Sequence, residues 1–97
     1  MISIKVKILN SFWDKSVGLI GADPIYPVYF TTRWGVHTFG MSHAIDILVL
    51  DDRFRVVKFK SNMKPNSLFF WNPKFQNVLE LPAGKYEYKL GQLILLK

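Results

Sequence analysis

The chain of 97 residues contains no cysteine, which excludes a disulfide framework and any thiolate metal site. It has no apolar run approaching the roughly 18 to 20 residues that cross a bilayer as a helix. Its first residues alternate where a secretory leader would place a basic segment, an apolar run and a small-residue cleavage site, so a soluble, cytoplasmic protein is expected, with no membrane partner. No Gly-x-Ser-x-Gly elbow, phosphate loop or dinucleotide fingerprint occurs, so nucleophilic catalysis and nucleotide chemistry have no motif to rest on. Acids are scarce, 7 against 13 Lys and Arg, for a net charge of +6. Such an excess attracts anionic partners at long range without defining a site.

What the chain has is apolar bulk: 49% of its residues are hydrophobic and 15% aromatic, enough to offset the entropy of ordering a chain of this length as one domain over 1–97. Ile2, Ile4, Val6 and Ile8 alternate with Ser3, Lys5 and Lys7, the period of a strand with one face on the core. Asn10 and Ser11 offer caps for a short helix through Ser16. Residues 26–31 read as a strand whose start, beside Pro24 and Pro27, belongs on a sheet edge. An apolar run over 44–50 and a second arm over 54–60 flank Asp51 and Asp52, the pattern of a hairpin. In the second arm the apolar parity slips between Val56 and Val57, and two explanations stand: a β-bulge, or burial of both faces at that point.

Residues 61–66 read as a loop, Leu68 to Trp71 as a short aromatic segment, and 77–81 as a strand closed by Pro82. A turn or single helical turn follows Ala83 and Gly84, and 93–96 form the last strand. The chain is therefore expected to be mainly β, or α+β if its one or two short helices count, in a sandwich or barrel-like, jelly-roll-like domain.

The segment Gly35-Val36-His37-Thr38-Phe39-Gly40-Met41, the pair Ile45-Asp46 opening an apolar strand to Leu50-Asp51, the run Val78-Leu79-Glu80-Leu81-Pro82-Ala83-Gly84, and Leu90-Gly91 before a final strand together resemble the domain-of-unknown-function 192 family. The resemblance implies a compact β domain and no established activity, cofactor or partner. Where the most similar branch has Arg, Phe and Pro after the Met, this chain has Ser42, His43 and Ala44, and Gln92 stands where an acid usually follows the final glycine. The charge of the lost Arg would have to come from elsewhere, for example Arg33.

Asp46, between Ile45 and Ile47, is the residue least suited to its surroundings, because burying a carboxylate is costly unless N–H donors or a cation meet it. It reads as a binding group, as a structural anchor for the preceding loop over 40–43, or as a side chain that faces solvent on an alternating strand. Glu80 repeats the theme between Leu79 and Leu81, either solvated or converging with Asp46. A pocket built from Arg33, Trp34, His37, Phe39, Met41, His43, Asp46 and Glu80 would take a small polar or anionic ligand, with Trp34 and Phe39 as its apolar wall. Two histidines without ligand spacing match no metal framework, and no metal or cofactor is expected.

Two other functions stand beside this one. Arg53, Arg55, Lys58, Lys60 and Lys64 form a run without an acid near Phe69, Phe70 and Trp71, a composition suited to single-stranded nucleic acid. His37 with Asp46 or Glu80 would serve a small hydrolase, though the balance of residues leans away from an enzyme.

Overall fold

β-Branched and aromatic residues in short runs, separated by Pro, Gly, Asn and Asp, favour strands over helices, and strands are what form. The structure is a computed structural model that describes residues 2–8, 27–38 and 43–97. Nine strands run in chain order: β1 (Ile2–Ile4), β2 (Lys7–Ile8), β3 (Val28–Thr31), β4 (Gly35–His37), β5 (Ile45–Leu50), β6 (Val56–Met63), β7 (Leu68–Phe70), β8 (Asn77–Pro82) and β9 (Ile94–Leu96). No helix occurs among the described residues. The short helix expected through Ser16 lies outside them, and Ala83 and Gly84 form a turn.

A five-stranded sheet of order β2-β3-β8-β5-β6 forms the centre, flanked by the two-stranded pairs β1-β9 and β4-β7. Within the central sheet β2 and β3 run parallel and the other pairs antiparallel. The β5 strand, between β8 and β6, is buried along its whole length. It is covered on both sides because alternate residues feed two cores. Ile45, Ile47, Val49, Val78, Val28 and Phe30 pack with Val36, Phe69 and Trp71 of the β4-β7 side. Leu48, Leu50, Leu79 and Leu81 pack with Ile4, Ile94 and the partly buried Tyr86 and Tyr88. Truncating a central leucine such as Leu48 to Ala is worth about 2–5 kcal/mol on general grounds.

Three expectations change. Residues 61–63, expected in a loop, carry β6 on to Met63, because Met63 pairs with Ile45 and is buried. The first alternating strand is two strands: at the break the Val6 N–H donates to the Lys97 carbonyl and the Lys97 N–H donates to the Ile4 carbonyl. The chain thereby leaves β9 for β3, and Ile8 ends 58% exposed. The start of β3 is not an edge, since Val28 pairs with Lys7 of β2 and with Glu80 of β8. Pro27 stands just before the strand, so its missing N–H interrupts no pairing, and Val28 supplies the paired backbone.

The slip in the second hairpin arm is a bulge: Val49 pairs with Lys58 and Leu50 with Val56, leaving Val57 as the extra residue. A second irregularity, which the sequence did not announce, falls where Ile45 pairs with Met63 and Ile47 with Lys60, so that Ser61 and Asn62 together oppose Asp46. Asn62 there takes φ 53°, a left-handed conformation that Asn tolerates better than most residues.

Candidate functional site

The second bulge positions Asp46. Its carboxylate accepts the Asn62 backbone N–H at 2.7 Å through Oδ1 and the Gly84 N–H at 3.4 Å through Oδ2. Gly84 sits at φ 76°, where glycine carries no Cβ penalty, so the turn can aim its amide back at β5. Asp46 is 3% exposed, and two backbone donors are what let a carboxylate occupy such a place. Burial excludes the solvent-facing reading of Asp46; the Gly40 to His43 loop it was expected to pin lies mostly outside the described residues, and the hydrogen bonds it makes among the described residues hold the β6 bulge and the turn after β8.

Around it opens a concavity of about 440 Å³ lined by Asp46, Phe59, Ser61, Asn62, Gly84, Tyr86, Glu87 and Tyr88. Tyr88 stacks edge-on to Phe59 with centroids 5.1 Å apart, and its hydroxyl lies 2.6 Å from Ser61 Oγ. Its pKa is pushed up to about 12, first by burial and also by the facing Asp46 carboxylate, with the Ser61 hydrogen bond acting in the opposite sense. The phenol therefore keeps its proton at neutral pH and directs it toward Asp46, while Ser61 can direct its own toward Tyr88. A phenol whose pKa lies that far above neutrality gives up its proton poorly and offers almost no phenolate to accept one, so this chain of groups is suited to binding and weakly matched to acid-base work.

The other expected site residues are dispersed. Opposed residues of an antiparallel pair share a face and successive residues alternate. Asp46, opposite Leu81, and Glu80, opposite Ile47 and Val28, therefore point to opposite sides of the central sheet. They cannot act as a carboxylate pair, and Glu80 is not solvated: it is 6% exposed. Its Oε1 has no hydrogen-bond partner among the described residues, and burial pushes its pKa up to about 8.

Arg33, Trp34 and His37 belong to the approach to β4 and to β4 itself, whose Val36 packs on the core opposite the Asp46 side. Arg33 is exposed and its Nε donates to Gln76 Oε1 at 3.4 Å. His37 and His43 are exposed. Phe39 and Met41 lie outside the described residues. Among the described residues no three His, Asp or Glu side chains gather into a metal-holding group.

Of the basic residues, Arg53, Arg55, Lys58, Lys60 and Lys64 are all exposed, but Trp71 is buried, with its Nε1 donating to the Phe75 carbonyl at 2.8 Å. The groove residues that the sequence concealed are Phe59, Ser61, Asn62, Tyr86, Glu87 and Tyr88. The one visible signal was the Tyr-x-Tyr alternation two residues beyond Gly84.

The chain is 32% identical over 89 residues to a UPF0127 protein of Pyrococcus horikoshii, an alignment spanning 86% of this chain and 76% of that one. In three dimensions it resembles a protein of unknown function from Novosphingobium aromaticivorans, with a TM-score of 0.69 and 15% identity over 81% of this chain and 63% of that chain. It resembles to the same TM-score of 0.69 a candidate transcription regulator from Sinorhizobium meliloti, at 19% identity over 81% of this chain and 68% of the other. Identities this low show a shared fold alone, and the chain spans less than two thirds of the Novosphingobium protein. No family model matches the sequence.

Proposed function

Because the chain belongs to the UPF0127 family, whose name assigns no activity, we propose from the groove itself that this is a small binding or accessory protein. Its ligand is small and polar, and is uncharged or cationic. The observation that carries this reading is the lining: two carboxylates, Asp46 and Glu87, three aromatic rings, and no Lys or Arg. Rings supply a flat apolar surface and attract cations, while Ser61 and Asn62 supply short hydrogen-bonding arms. The anionic ligand suggested by Arg33 is disfavoured here, since Arg33 belongs to the other side of the central sheet and the groove repels anions.

The finer assignment to the domain-of-unknown-function 192 family belongs to the same reading. What supports it is that its blocks meet at one place: Asp46 from the Ile-Asp pair receives the amide of Gly84 from the Pro-Ala-Gly block. A single domain over 1–97 goes with it, as does a cytoplasmic location, which the cysteine-free composition favours.

A fragment titration followed by amide chemical shifts tests the function. Alkylammonium and methyl-glycoside fragments are expected to shift Asn62, Gly84, Tyr86 and Tyr88 at millimolar concentration, and Tyr88→Ala to remove those shifts. Groove amides that respond only to carboxylate or phosphate fragments, or to nothing, would refute it.

A further inference from the structure

We propose that the outer face of the β4-β7 pair binds single-stranded nucleic acid, with bases stacking on Trp34 and Phe70 and with Arg33, Lys58, Lys60 and Lys64 meeting phosphates. This site is separate from the Asp46 groove and lies on the other side of the central sheet. Gly35 pairs with Phe70, Val36 with Phe69 and His37 with Leu68. Since Val36 and Phe69 pack against the core, alternation turns Phe70 and Leu68 outward, 60% and 55% exposed.

Both rings are presented by the backbone. A Cβ on Gly35 would come within 2.5 Å of Phe70 Cδ1 and of the Phe69 carbonyl oxygen, so the Phe70 ring lies across the glycine with its far side open. Trp34 is 66% exposed and takes φ 77°, a conformation that costs a bulky residue energy and is found most often where the chain is constrained for function. It is fixed there by two backbone bonds: Gly35 N–H to the Arg33 carbonyl at 2.9 Å and Trp71 N–H to the Trp34 carbonyl at 2.9 Å. Burial of the indole would explain the strain, and the indole is not buried. Trp71, the ring the sequence suggested for stacking, fills the core instead.

The charge around these rings has one sign. Lys58 Nζ donates to the Phe70 carbonyl at 3.0 Å and stands 5.2 Å from the Phe69 ring centroid. Lys60 shares its face of β6, because Lys58 opposes Val49 and Lys60 opposes Ile47. Lys64 is exposed in the loop that enters β7, where its carbonyl accepts the Thr38 hydroxyl at 2.7 Å. The two stretches that supply β4, β6 and β7, Pro24 to Ile45 and Arg53 to Leu79, contain no Asp or Glu. Cations alone would suit an acidic protein or a duplex equally well. Two open rings beside them favour a ligand that offers both phosphates and unpaired base faces.

Anisotropy of a labelled oligothymidylate titrated with the full chain across a salt series tests this. Engagement of three or four phosphates predicts a slope of log K against log salt of about −2 to −3. Trp34→Gly should weaken binding about tenfold or more while the melting temperature holds or rises, because glycine relieves the backbone at φ 77°. Lys60→Ala should flatten the slope by about 0.7. Unchanged binding by Trp34→Gly, equal affinity for polyglutamate or for a duplex, or no retention at low salt would each overturn the proposal.

Discussion

The carboxylate of Asp46 receives the Asn62 and Gly84 amides and faces the Tyr88 hydroxyl, whereas Oε1 of Glu80, on the next strand of the same sheet, meets no donor among the described residues. Burial without compensation raises the Glu80 pKa to about 8, against an ordinary 4.5. A folded-state pKa above the unfolded value means that the protonated form is the one the fold accepts. Stability is then greatest below the ordinary pKa and is lost as pH rises from there through about 8. Glu80→Gln, which is neutral and of the same shape, is expected to raise the melting temperature at pH 8, by the equivalent of a few kcal/mol on the order given by the shift, and to leave it nearly unchanged at pH 4. Equal melting curves for both proteins across that range would contradict the assignment. Neither environment was legible from the residues: Ile-Asp-Ile and Leu-Glu-Leu are nearly the same local pattern. Whether a carboxylate finds an amide depends on what the neighbouring strand does opposite it.

At the scale of elements, β6 shows what periodicity can and cannot reveal. Its first irregularity was legible because Val56 and Val57 are both apolar, so a one-residue slip changes which face each one serves. Its second, at Ser61 and Asn62, was silent because polar residues carry no apolar period to interrupt. That second bulge is also the one that builds the site, since it brings the Asn62 amide to Asp46.

Two glycines of the recognisable blocks, Gly84 and Gly35, answer to different constraints, and alanine substitution separates them. Gly84→Ala adds a Cβ that meets nothing within 4 Å, so only its φ of 76° is penalised, at about 1 kcal/mol. Gly35→Ala places a Cβ against the Phe69 carbonyl and the Phe70 ring, and should cost more, about 2–3 kcal/mol, with loss of β4-β7 pairing. Denaturant melts of the two variants check the order. A Gly84 variant less stable than the Gly35 variant would show that the turn after β8, and not the close approach at β4, is the tighter constraint.

For the whole molecule, the central sheet divides two unlike sides. On one, the groove gathers Asp46 and Glu87 among Phe59, Tyr86 and Tyr88. On the other, Trp34 and Phe70 stand among exposed cations. The strands between them, β5 and β8, are buried almost throughout and pair on both edges, so their amides should exchange with solvent only when the molecule opens globally. The two-residue β2 and the short β1-β9 pair should exchange earlier. Native-state hydrogen exchange measures this directly, and protection in β1-β9 equal to that in β5 would mean that the flanking pair opens only with the central sheet.

Residue order alone makes this a β protein, marks where most of its strands lie, pairs β5 and β6 as a hairpin with a parity slip between Val56 and Val57, and singles out Asp46 and Glu80 as its unusual acids. These are local properties, carried by period, turn residues and the mismatch of one side chain with its neighbours. Long-range strand pairing is what makes that slip a bulge, turns the two acids to opposite sides, puts Trp71 in the core and Trp34 on the surface, and builds the groove beside Asp46 from Tyr86, Glu87 and Tyr88. Side of sheet, pairing partner and burial follow from register between strands distant in sequence, and a shift of one residue in that register exchanges the two faces.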